Sequence, residues 1–102
     1  MEIHFRDEYL EELAENKKFT GKPKFPEEVV IAYKKRIFQV KGAKGTQDLR
    51  QIKSLHFEKL KEKKFKDKYS IRLNKAYRLI FEIGKDDRLE IMIIEEINNH
   101  YA

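Results

Sequence analysis

Two arginines six residues apart, Arg72 and Arg78, carry the most legible chemistry in this chain of 102 residues. They flank Asn74-Lys75-Ala76 inside the run Tyr69–Ile83. A guanidinium is a planar fork of donors that matches a pair of phosphate oxygens. Two like charges set opposite each other across a strand pair repel, and an anion held between them reverses that sign. The spacing therefore reads as a phosphate grip. It reads equally as a structural site in which Glu82 or another nearby carboxylate neutralises one arginine. At the far end stand His100 and Tyr101. An imidazole titrates near neutrality and can move a proton. A phenol can orient a phosphate, assist proton transfer or stack on a base. The same two residues also fit a frayed tail.

Hydrophobic alternation indicates what must position the arginines. Tyr69, Ile71 and Leu73 share one face, and Tyr77, Leu79, Phe81 and Ile83 share another, with Ile80 the one misfit. Period-two patterning of this kind predicts two half-buried strands. A two-residue loop would pair Ile71 with Arg78 and mix the faces. A three-residue loop pairs Leu73 with Tyr77, Ile71 with Leu79 and Tyr69 with Phe81, and keeps one face wholly apolar. That register puts Arg72 directly across from Arg78.

The remaining elements follow in order. Met1–Phe5 reads as a short strand, with His4 given no role. Asp7 caps a helix carrying Tyr9, Leu10, Leu13 and Ala14 on one face and ending near 16–18. Thr20–Phe25 is a linker. Pro26-Glu27-Glu28 starts a second helix with Val30, Tyr33, Ile37 and Val40 as its stripe, widened by Ile31 and Phe38 to pack against both the first helix and the sheet. Its cations Lys34, Lys35, Arg36 and Lys41 read as a solvated face, with an RNA-facing surface as the alternative. Thr46–Ile52 is a short helix, Ser54–Leu60 a strand, and the lysine-rich 59–68 a mobile loop. A turn at Gly84–Asp87 leads into a last strand, Arg88–Ile97, whose Ile91–Ile94 core is apolar on both faces. The expected fold is α+β, one domain over 1–102, with two N-terminal helices packed on a mainly antiparallel, curved sheet.

Composition narrows the partners. A net charge of +5 with 40% charged residues is consistent with a nucleic-acid partner. There is no cysteine, so neither disulfides nor a thiolate metal site is expected. Three scattered histidines match no metal-ligand spacing, and neither metal nor cofactor is expected. No apolar run approaches the ~20 residues of a membrane span. A reducing cytoplasm fits.

The order of elements, together with Tyr-Ser-Ile-Arg-Leu-Asn-x-x-Tyr-Arg-Leu-Ile-Phe and the terminal His-Tyr, resembles the RelE/ParE superfamily of type II toxin–antitoxin toxins. The HigB-like branch is the nearest. The resemblance implies a RelE-like fold and a metal-free endoribonuclease that cuts mRNA, commonly on the ribosome. It places Arg78 where the family keeps a phosphate-binding arginine and Arg72 at a second basic position. It gives His100 and Tyr101 the proton-transfer ending. It matches His56 and Lys59 to a His-x-x-Lys element, with Lys61, Lys63 or Lys64 able to stand in for Lys59. Lys61 and Lys64 would contact the RNA backbone. A cognate antitoxin from the same operon, mRNA and the ribosome are the implied partners. Two other readings stay open: a ParE-like gyrase poison without nuclease chemistry, and a non-catalytic RNA- or ribosome-binding module.

Overall fold

The chain folds around one five-stranded mixed sheet ordered β1-β5-β4-β3-β2, with helices packed on one side. The computed structural model describes residues 1–15 and 23–99. Its elements are β1 (Glu2–Phe5), α1 (Glu8–Ala14), α2 (Glu27–Gly42), α3 (Thr46–Gln51), β2 (Glu58–Lys59), β3 (Tyr69–Arg72), β4 (Arg78–Asp86) and β5 (Leu89–Asn98). β1 runs parallel to β5, and every other neighbouring pair is antiparallel. The α+β architecture and the RelE-like layout expected from the sequence are those observed.

The helices form for local reasons. Asp7 accepts a hydrogen bond from the Leu10 amide at 2.9 Å and caps α1, which closes at Ala14, short of the expected 16–18. Pro26 precedes α2, and Glu27 and Glu28 sit at its positive end. The buried stripe is Val29, Tyr33, Ile37 and Val40, packed against α1 and the sheet; Val30 is half-buried, and Ile31 and Phe38, expected to widen the stripe, are exposed because they lie on the opposite side of the helix. The Tyr33 hydroxyl donates to the Leu10 carbonyl at 2.7 Å and joins the two helices. Burial, with the Asp7 charge second, holds its phenol well above the ordinary value.

The hairpin β3–β4 has the register that burial selects. Tyr69 pairs with Phe81, Ile71 with Leu79, and Arg72 with Arg78. Its turn is held by Asn74, whose side-chain oxygen accepts from the amides of Ala76 and Tyr77. Ile71, Leu79 and Phe81 enter the core with Met92 and Ile94 of β5. Ile80, the misfit, is fully buried on the other face with Leu60 and Phe65.

Three further expectations need correction. The strand expected over Ser54–Leu60 is a single helical turn, Lys53–Leu55, followed by a two-residue β2. His56 interrupts it with a left-handed backbone, φ 46°. Alternation over Leu55 and Phe57 alone cannot tell a strand from such a turn. The lysine-rich stretch is not a bare loop: Lys63–Phe65 makes a helical turn, and Leu60 and Phe65 anchor it to Ile80. Finally, β4 continues to Asp86, so the link to β5 is the tight turn at Asp87 and Arg88, where Asp87 has φ 57°.

Candidate functional site

Arg72 and Arg78 lie on the sheet face away from the helices. Directly opposed residues of an antiparallel pair put their side chains on the same face, and these two are direct partners. Ser70, across from Ile80, shares that face. The two guanidiniums are held differently. Arg78 is 8% exposed, and its Nε donates to Ser70 Oγ at 2.8 Å. Its Nη2 donates to the His56 carbonyl at 2.7 Å and stands 3.8 Å from Glu58 Oε1. Arg72 is half-buried, and its Nε is buried with no hydrogen-bond partner among the described residues. An orphaned charged donor of this kind costs on the order of 1–3 kcal/mol until something accepts from it.

The neutral alternative is thereby narrowed. Glu82 does not serve the arginine pair; it accepts from Arg6, which also binds Glu95. Glu95 in turn faces Lys68 at 3.5 Å. Among the described residues, Glu58 is a carboxylate near Arg78, and it is half-exposed.

A third arginine completes the cluster. Arg36 of α2 is also 8% exposed. Its Nε donates to the Arg72 carbonyl at 3.0 Å, its Nη2 to the Ser54 carbonyl at 3.3 Å, and its Nη1 to Gln39 at 2.8 Å. It therefore ties α2 to the end of β3 and to the turn before His56. Desolvation pulls its pKa below the ordinary arginine value. The sequence reading placed Arg36 on a solvated face. The available signal was its position three residues after Tyr33 and four before Val40, within the buried stripe.

The other candidates are distributed as follows. His56 reaches Arg78 through its backbone carbonyl, while the residue itself is exposed. Lys59 pairs with Tyr69, and Glu58 with Ser70. Alternation thus gives Glu58, not Lys59, the arginine face. Arg50 lies over the Phe57 ring at 4.5 Å, and Phe57 contacts Tyr69 and Phe81. Lys61 is exposed, and with Lys59, Lys63 and Lys66 it lines a shallow hollow of ≈ 490 Å³. Lys64 stands 3.8 Å from Glu62 and over the Phe65 ring. His100 and Tyr101 lie outside the described residues. The strand leading to them ends at Asn98, directly across from Arg78. A β-bulge lies just before: Ile80 faces Glu96 and Phe81 faces Ile94, so Glu95 is the extra residue.

A family model described as "RelE-like toxin of type II toxin-antitoxin system HigB" matches residues 3–97, nearly the whole chain. The chain belongs to the HigB-like toxin family. No curated protein and no solved structure matches it. Membership of the HigB-like family makes it a toxin of a type II toxin–antitoxin system and implies a cognate antitoxin. No helix among the described residues is long and apolar enough to cross a membrane.

Proposed function

We propose that this HigB-like toxin is a metal-free endoribonuclease that cuts mRNA on the ribosome and so stops translation in the cytoplasm. One observation carries the reading: Arg72 and Arg78 face each other on the sheet surface, and Arg72 brings a buried donor with no acceptor among the described residues. A phosphodiester between them pairs with both guanidiniums and removes the like-charge repulsion.

The chemistry is an in-line attack. A base takes the proton from a ribose 2′-hydroxyl, and the 2′-oxygen attacks phosphorus. Arg72 and Arg78 stabilise the charge on the crowded phosphorane. An acid protonates the 5′-oxygen as the P–O5′ bond breaks, leaving a cyclic phosphate and a 5′-hydroxyl. His100 is assigned proton transfer, and Tyr101 orients the phosphate or stacks on a base. One positioned proton-transfer group contributes roughly 10²–10⁴-fold. A lost charge-stabilising donor costs about 10²–10³-fold. His56 and Lys59 add charge or a proton at the border, and Lys61 and Lys64 track the RNA backbone.

Induction in bacteria followed by mapping of mRNA 5′ ends tests the proposal. New ends at codon spacing are expected for the wild type and not for Arg78→Ala or His100→Ala. Ends that persist in both variants would overturn the site assignment. DNA-damage signalling without new ends would point to gyrase, and growth arrest with neither would point to binding alone.

A further inference from the structure

The outer side of α2 plays no part in the site described above. Ile31, Lys35 and Phe38 follow one another at steps of four and three residues and so form one stripe on the helix. Val29, Tyr33, Ile37 and Val40 occupy the buried side. Ile31 is 61% exposed and Phe38 80%. Lys34 and Lys41 border the stripe. Neither they nor Lys35 pairs with a carboxylate among the described residues. Two large apolar side chains held in water among unpaired ammonium groups make a surface with an apolar centre and a cationic border.

We propose that this face docks an acidic amphipathic helix of the cognate antitoxin, with Ile31 and Phe38 as its apolar anchors. The two anchors are seven residues apart, ~10 Å along the helix. That matches the spacing at which a partner helix presents successive apolar residues. Carboxylates beside the partner's apolar stripe meet Lys34, Lys35 and Lys41. A phosphate backbone would match the lysines and leave Ile31 and Phe38 without use. A second copy is disfavoured by charge. In a two-fold antiparallel pairing of α2 with itself, Ile31 meets Phe38, but Lys34 and Lys35 of both copies meet at the centre. Four ammonium groups would then be desolvated together.

The placement has a functional consequence. Arg36 leaves the same helix on another side to hold the Arg72 carbonyl. The docking face thus looks away from the arginine pair, and anchoring the antitoxin there is separable from covering the RNA face. The inference rests on the family's antitoxin partner and not on the RNA chemistry.

Calorimetric titration of the toxin with the full-length antitoxin encoded beside it provides the test. The double variant Ile31→Ala/Phe38→Ala is expected to raise Kd by ~100-fold or more. Lys34→Glu/Lys35→Glu should raise it ~10-fold or more and flatten its salt dependence. Arg72→Gln should leave it within about threefold, because rim charges far from the contact contribute little. All these positions on α2 are at the surface, so thermal melting should stay at the wild-type value, and the Ile31/Phe38 variant should keep whatever RNA cleavage the wild type has. An unchanged Kd in the Ile31/Phe38 variant overturns the proposal. A wild-type dimer that this variant converts to monomer also overturns it and makes the occupant a second copy. Loss of binding to a single-stranded RNA in the lysine variant, with antitoxin affinity intact, overturns it in favour of RNA. Absence of cleavage in every protein would remove the nuclease reading while the affinity comparison still decides this one.

Discussion

Arg72 is the residue where stability and activity pull in opposite directions. In the free protein it faces a like charge and buries an unpaired donor. Both features are unfavourable, the first by roughly 0.2–1 kcal/mol. Arg72→Gln is therefore expected to melt at or above the wild-type temperature at low salt, while its mRNA cleavage falls by about 10²–10³-fold. Added sulfate or phosphate should raise the melting temperature of the wild type more than that of the variant. A variant that loses stability and keeps cleavage would show the guanidinium to be structural. Arg36 behaves oppositely. Replacing it with Met leaves the carbonyls of Arg72 and Ser54 without their donor. The expected loss is on the order of 1–3 kcal/mol for each group that stays dry. Denaturant unfolding reads that loss, and Arg36→Lys should recover part of it.

Among the elements, the lysine-rich stretch between β2 and β3 depends on a contact that alternation disguises. Ile80 breaks the pattern of β4 because the polar-looking face of the sheet carries its own small core, Ile80 with Leu60 and Phe65. The chain is closed there by the Leu60 amide donating to the Lys68 carbonyl at 2.9 Å. Ile80→Ala should cost ~2–5 kcal/mol. Hydrogen exchange across residues 60–68 should speed up more than exchange in α2. Uniform acceleration of all amides would show that this cluster is not a separate unit. The bulge at Glu95 belongs to the same level. It inserts a residue into β5 and places that carboxylate between Arg6 and Lys68, just before the strand reaches Asn98 across from Arg78.

For the protein as a whole, the pH dependence of stability turns on Tyr33, which joins α1 and α2 from a fully buried position. Its pKa is raised on folding, so the folded state holds the phenolic proton more tightly than the unfolded chain. This contribution is fully present below the unfolded value near 10 and is lost as pH rises above it. Stability should then fall by up to ~1.4 kcal/mol per pH unit. Equilibrium unfolding of wild type and Tyr33→Phe between pH 8 and about 11.5 checks the sign. The difference between the two should shrink as pH rises, and a constant difference would count against the linkage.

The pairing of Arg72 with Arg78 is legible in the sequence alone. Tyr69, Ile71, Leu79 and Phe81 can all enter one core only in a single register, and that register sets Arg72 opposite Arg78. Local alternation and an Asn-led turn are enough to specify it. Folding in three dimensions decided the rest. Whether Glu58 or Lys59 shares the arginine face depends on where a two-residue edge strand docks on β3. Whether Arg36 is solvated or buried depends on where α2 crosses the end of that strand. Short elements carry too few apolar residues to declare a face, and a charged side chain at the edge of a stripe is compatible with water or with a carbonyl. Which of these it meets is settled by contacts between residues far apart in the chain, where burial of an unpaired group is penalised and a partner brought in from elsewhere removes the penalty.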